Sequence, residues 1–265
     1  MTDTAPRLPD DVVTLTHGSS MPLLGFGTWQ IKGDDAVRAT TTALETGYRH
    51  LDTALVYGNE GEVGRALAES GVPRDQVFLT TKCPPNRAGS GLDTIRESLD
   101  RLQTDHVDLW LIHWPGEGSA NANLWGELVE AREAGLAREI GVSNFDGALL
   151  DEVTAATGVT PAVNQIEWSP LLYDAETAAD HRRRGIALEG YSALRGGTLD
   201  HPAIVGIADR FGRTPAQVII RWHLQHGVVV IPKSSHPDRI RSNADVAGFD
   251  LSDDDMATLD GLGGA

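Results

Sequence analysis

Eight times along its length the chain passes from a short apolar, β-branched run to an amphipathic stretch. The runs are LLGFGTW, HLDTA, VFLTTK, VDLWLIHW, REIGVSN, VNQIEW, IALEGYS and VVVIPK. They are continuously apolar rather than alternating, as strands buried on both faces of a parallel sheet are. The stretches between them carry helical periodicity and helix punctuation. DDAVRATTTALETG ends at Gly47, a C-cap residue, and TPAQVIIRWHLQHG opens with Thr214 as N-cap and Pro215 in its first turn. Eight such units in about 250 residues predict a (β/α)8 barrel of the TIM type. We expect one such domain over residues 1–265, with two helices beyond the eightfold repeat. The leading VVTLTHGSSMP reads as a β-hairpin closing the barrel bottom, with His17-Gly18 at its turn. An open doubly wound sheet would carry G-x-G-x-x-G after its first strand, and GFGTW supplies only half of that.

Charge narrows the partners. The formal net charge is −16, which repels nucleic acid and anionic membrane surfaces. No apolar run approaches the ~18 residues of a membrane helix. With one cysteine, Cys83, no intramolecular disulfide can form, and the opening MTDTAPRLPDD lacks the apolar core of a signal peptide. Both point to the cytoplasm. The flexible-looking ends are Met1–Asp10 and the GLGGA tail.

In a barrel, function gathers at the C-terminal ends of the strands. There the chain places Asp52 with Tyr57 in the following loop, then Lys82, then His113. A buried aspartate costs free energy unless paired, and Lys82 on the next strand can pair with it. A tyrosine of pKa ~10 is a poor acid at neutral pH, and a nearby ammonium lowers that value. A histidine can orient a carbonyl oxygen or relay its proton. Such a set protonates a carbonyl while hydride comes from elsewhere, which implies a nicotinamide cofactor. Taken singly, each has a plainer reading: a structural salt bridge, a turn tyrosine, a packed core histidine. Four converging on one rim favours chemistry.

The segments LLGFGTWQI, LDTALVYGNE, FLTTK, DLWLIHWP, REIGVSNF, AVNQIEWSP and VVVIPKSSHPDRIRSN, in that order, resemble the aldo-keto reductase superfamily from about Val12 to Leu259. GVSN, PAVNQIE and TPAQVIIRWHLQ look most like bacterial 2,5-diketo-D-gluconate reductases. The resemblance implies reduction of an aldehyde or ketone by direct hydride transfer from NADPH. It gives Tyr57 as general acid, with Asp52, Lys82 and His113 completing a tetrad. It implies that Ser143, Asn144 and Gln165 hold the nicotinamide carboxamide and that Tyr191 stacks on its ring. Ser192 and Leu194 would follow the pyrophosphate, Gly27 and Thr28 would pass close to the cofactor, and Asn243 would meet the adenine. Ser143 or Asn144 could instead cap the next helix. Lys233, Ser234 and Ser235 at a strand-to-helix junction suit a 2′-phosphate, with Arg239 one turn into the helix. Together with Arg241 these cations form a local cluster in an acidic chain, which favours NADPH over NADH. A solvated helix face is the plainer reading.

Trp29 and Trp114 are candidates for the substrate pocket beside Tyr57 and His113, Trp125 and Trp168 weaker ones, and Trp110 and Trp222 core residues. The chain departs from the family pattern at Cys83-Pro84-Pro85, where an aromatic is common, at Trp168-Ser169, where a histidine is frequent, and at Ser242, where an acid often sits. These bear on the substrate and the base contacts, not on the tetrad. No His/Cys/Asp cluster has metal-ligand spacing. Two rivals stand beside the reductase: a cofactor-binding regulatory or structural barrel with little turnover, and a sugar-phosphate isomerase with Glu167 as base. Short loops and the family resemblance suggest a monomer.

Overall fold

The computed structural model describes residues 8–264. A hairpin of β1 (Val12–Thr14) and β2 (Ser20–Pro22) comes first, turning through Gly18 at φ 96°. Eight parallel strands follow: β3 (Phe26–Gly27), β4 (His50–Asp52), β5 (Phe78–Cys83), β6 (Val107–Ile112), β7 (Ala137–Ser143), β8 (Val163–Glu167), β9 (Ala187–Tyr191) and β10 (Val229–Val230). Each pairs with its sequence neighbour. A parallel bridge from Leu24 to Val230 joins the last strand to the first. Gly25 N and Val230 N donate across that seam to Val230 O and Leu23 O, at 2.9 and 2.8 Å. The sheet therefore closes into the expected barrel.

The helices are α1 (Gly33–Thr46), α2 (Glu60–Glu69), α3 (Gly91–Leu102), α4 (Ala120–Glu133), α5 (Gly147–Thr157), α6 (Ala175–Arg184), α7 (Pro202–Phe211), α8 (Pro215–Gln225), α9 (Pro237–Ala244) and α10 (Asp253–Asp260). Among the described residues, ten helices on eight strands leave the expected two beyond the repeat. Their ends follow local chemistry. Gly47 closes α1 at φ 110°, and Thr214 with Gln217 forms a full capping box on α8.

The first and last strands are much shorter than the runs LLGFGTW and VVVIPK suggest, because their outer residues bond across the closing seam in single bridges and loops. The hairpin seals the barrel bottom through a buried carboxylate. Glu139, near the start of β7, receives Ser19 N at 3.2 Å and lies 2.7 Å from His17 Nδ1. Trp110, Trp125, Trp168 and Trp222 are all buried, so Trp125 and Trp168 belong to the packing and not to a pocket. The expected flexible N-terminus lies largely outside the described residues. Of the GLGGA tail, Gly261–Gly264 forms a 3-10 turn.

Candidate active site

The register explains how Asp52 and Lys82 meet. Asp52 is the last residue of β4 and pairs with Thr80 of β5, so Lys82 stands two residues further along, on the same face of its strand. From there Nζ reaches back to both Asp52 oxygens at 2.7 Å and to Thr53 O at 2.9 Å. All three ammonium protons are used, which a buried cation requires. Burial depresses the Lys82 pKa, but the charges of Asp52 and Tyr57 and the bonds to Asp52 raise it overall above its ordinary value.

Tyr57 ends a 3-10 turn, Leu55–Tyr57, closed by Gly58 at φ 63°. Its ring meets the His113 ring edge-on, with centroids 5.5 Å apart, and Lys82 Nζ lies 5.1 Å from its centre. Burial lifts the phenol pKa; Lys82 pulls it down, and burial wins. The sequence expectation of a net lowering therefore reverses: the phenol keeps its proton. His113 is the first residue beyond β6, its N–H donating to Cys83 O at 2.9 Å. Burial and then the Lys82 charge push its pKa down to about 3, so the imidazole is neutral. Its Nδ1 is buried without a hydrogen-bond partner.

Asn59, no more than a turn residue in the sequence, fastens this assembly. It is fully buried, donates to Thr28 O and Ile31 O at 2.9 Å each, and accepts from Thr53 Oγ1 at 2.8 Å. It ties the Tyr57 turn to the end of β3 and to Thr53, just beyond β4.

Above these groups opens a cleft of about 1230 Å³. Trp29 and Trp114, 40% and 50% exposed, line it together with Tyr57 and His113. Ser143, Asn144, Gln165 and Tyr191 line it too, joined by a chain of hydrogen bonds. Tyr191 Oη donates to Asn144 Oδ1 (2.8 Å), Asn144 Nδ2 to Ser143 Oγ (3.0 Å) and Ser143 Oγ to Gln165 O (2.7 Å). Gln165 Nε2 donates to Asp52 Oδ2 (2.9 Å), joining this chain to the Asp52–Lys82 pair. Helix α5 is capped by Asp146, whose side chain accepts from Leu149 N, so neither Ser143 nor Asn144 is spent as a cap. Gly27, Ser192, Leu194, Lys233, Ser234, Ser235, Arg239 and Asn243 also line the cleft.

Thr28 does not line it: the residue is buried and its Oγ1 donates to Asp52 O at 2.9 Å. Arg241 also lies outside, 3.7 Å from Asp238. Arg195 is a cleft residue that the sequence did not point to. It lies in the loop after β9, its guanidinium 4.8 Å from the Trp29 ring centre, and nothing in the periodic pattern marks it. Backbone strain gathers here too. Among the described non-glycine residues with positive φ, Gln30, Asn144 and Ser192 all line the cleft, at φ 61°, 63° and 56°.

The residues present suit a nicotinamide dinucleotide. The cleft exceeds the size of a simple small-molecule pocket. Carboxamide-matching groups and the cations Lys233 and Arg239 all line it. Neither cation is paired with a carboxylate among the described residues, in a chain of net charge −16. No group of three His, Cys, Asp or Glu side chains is arranged to hold a metal among the described residues.

A parallel barrel with a proton-bearing tyrosine and a dinucleotide-sized cleft at its strand ends defines a class of oxidoreductase. The comparisons narrow this. The model of the aldo/keto reductase family matches residues 23–263, and the chain belongs to that family. It is 50% identical over 254 residues to an aldo-keto reductase of Mycolicibacterium vanbaalenii, covering 94% of this chain and 91% of the relative. It is 44% identical over 262 residues to 2,5-diketo-D-gluconic acid reductase B of a Corynebacterium species, covering 97% and 94%. Among solved structures, a point mutant of Gox0644 in complex with NADPH superposes with a TM-score of 0.91 at 38% identity, covering 96% of this chain and 94% of that one. The protein is an oxidoreductase acting on carbonyl groups.

Proposed function

We propose that this protein reduces an aldehyde or ketone to the alcohol with NADPH, Tyr57 giving the proton to the carbonyl oxygen. The observation that carries the reading is the buried Asp52–Lys82 pair, with Nζ 2.7 Å from both carboxylate oxygens, set against a phenol that holds its proton. Bound nicotinamide supplies the hydride. Tyr57 presents its proton at the cleft surface, and the Lys82 charge beneath it stabilises the phenolate left behind. Neutral His113 donates an N–H to the same carbonyl oxygen, fixing its orientation without competing as an acid. Trp29 and Trp114 flank the carbonyl and exclude water.

Ser143, Asn144 and Gln165 would hold the carboxamide, Tyr191 its ring, and Gly27, Ser192 and Leu194 the middle of the dinucleotide. Lys233, Ser234, Ser235 and Arg239 would take the 2′-phosphate and Asn243 the adenine. Those free cations support NADPH over NADH. A single buried cysteine without a disulfide partner accords with a reducing, cytoplasmic setting.

The test is loss of nicotinamide absorbance with NADPH and a panel of an aromatic aldehyde, methylglyoxal, a diketone and a keto-sugar acid. Tyr57→Phe is expected to slow turnover about 10²–10⁴-fold, the range of a lost general acid, while NADPH still quenches tryptophan fluorescence. Near-normal turnover in that variant would remove the proton-donor role.

A further inference from the structure

Among the described residues, the fully buried carboxylates have partners, with one exception. Asp52 takes Lys82 and Gln165; Glu60 takes Thr81 Oγ1 at 2.6 Å; Asp108 takes Arg74, Arg138 and Leu79 N; Glu139 takes Ser19 N and His17; Asp255 takes Ser252 and Arg210. Glu189 of β9 is fully buried, and neither of its oxygens has a well-formed hydrogen bond. No lysine or arginine among the described residues lies within salt-bridge distance of it. Its nearest basic atom, His50 Nε2, is 3.7 Å away and faces Thr80 Oγ1 at 3.3 Å. Burial, outweighing the pull of Asp52, holds His50 down at about 4, so it is no cation at neutral pH. The Gln165 amide on the paired strand β8 gives one of its two N–H groups to Asp52; the amide favours an anion at Glu189, but burial and the Asp52 charge outweigh it. An anion placed at Glu189 would carry most of its desolvation cost, whereas a protonated acid would not.

Glu189 lies two residues before Tyr191, on the same face of β9, which directs it toward the catalytic column. The groups that face it are His50 and Asp52 of β4, Lys82 of β5, Tyr57 in the turn beyond β4, and the Gln165 amide of β8; its β10 partner, Val229, brings no titratable group.

We propose that Glu189 is a positioning residue of the reductase centre: it stands as a neutral carboxylic acid beneath the Asp52–Lys82 pair, and its ionisation in alkaline solution slows carbonyl reduction by tightening the hold of Tyr57 on its proton. While Glu189 is neutral, one ammonium faces one carboxylate, and the Lys82 charge is free to stabilise the phenolate. Once Glu189 ionises, two buried anions share that ammonium, and the phenolate becomes harder to form. Burial, reinforced by the Asp52 charge, pushes the Glu189 carboxyl up to about 8, which puts the change within reach of a kinetic profile. The inference rests on Tyr57 being the proton donor.

Two measurements on the full-length protein test it. In the infrared, the wild type at pH 6 should show a carboxylic-acid carbonyl band that Glu189→Gln removes and that titrates away near pH 8 in the wild type. In single-turnover reduction with NADPH, the wild-type rate should fall several-fold across the same pH. Glu189→Gln should keep the rate seen at pH 6 and lose the step. A wild type with no titrating acid band, or a step of equal size in both proteins, overturns the proposal while leaving the reductase reading intact. Should Glu189→Gln fail to fold, the absence of a titrating acid band in the wild type still overturns the proposal. A wild type that reduces no carbonyl at all would overturn the proposal together with the reading beneath it.

Discussion

At the scale of single residues, the site is an arrangement of charges that would be costly apart. Lys82 and Asp52 are both buried, and each is satisfied chiefly by the other. Lys82→Met leaves Asp52 a buried anion without its cation, which costs about 3–5 kcal/mol and lowers Tm by roughly 6–20 °C. Asp52→Asn combined with Lys82→Met should recover much of that loss by calorimetry and remain inactive, separating the pair's part in folding from its part in chemistry. In the cleft, Lys233→Ala should weaken NADPH binding about 10–100-fold, the worth of one charge-assisted hydrogen bond, and NADH binding far less. Equal losses in fluorescence titrations would remove the 2′-phosphate assignment. Tyr57 shows where residue-level reasoning stops. Its charged neighbour was legible from strand order. The burial that outweighs that neighbour came only with the packing.

At the scale of elements, glycines report how tightly the barrel's helices approach one another. Gly64 of α2 faces the end of α3, and a Cβ there would sit 2.6 Å from Leu102 C and O. Backbone cannot yield as a side chain can, so Gly64→Ala should cost about 1–3 kcal/mol through overpacking. Gly126 in the middle of α4 has nothing within 4 Å of such a Cβ. Gly126→Ala should instead stabilise by up to about 1 kcal/mol, the helix-propensity gain. Urea midpoints of the two variants check the sign of each. The helices themselves were readable because caps such as Gly47 and Thr214 are local and act within one turn; the cap of α5 is Asp146 rather than Ser143 or Asn144. The lengths of β3 and β10 were not, because those strands end where they meet each other across the seam.

At the scale of the whole molecule, histidines buried far apart in the chain couple folding to pH. Burial holds His50 and His223 down at about 4 and His113 at about 3, against roughly 6.5 in the unfolded chain. Between these values the unfolded chain binds protons that the folded one does not, so stability rises with pH there. The contribution is full above about pH 6.5 and is lost as pH falls toward 4. Glu189, raised to about 8, and Glu60, also raised by burial, act in the opposite sense, while His181, likewise held down by burial, adds to the three histidines. The urea midpoint should therefore drop between pH 6.5 and 4, and a flat midpoint over that window would contradict neutral burial of these rings.

The sequence by itself determined the order of eight strand–helix units, caps such as Gly47 and Thr214, and the polar residues at the strand ends. These depend on periodicity and on neighbours a few residues apart. Barrel topology then brings the strand ends to one rim, which is why Asp52, Tyr57, Lys82 and His113 could be named together. Only the tertiary structure decided which strand-end groups face the cleft and which are buried behind it, as Thr28 is. It also decided that Asn59 anchors the Tyr57 turn, that Arg195 lies over Trp29, and that Glu189 is buried without a cation. Each of these turns on burial and on contacts across many residues of chain, and desolvation is a property of the packed interior that no local pattern encodes.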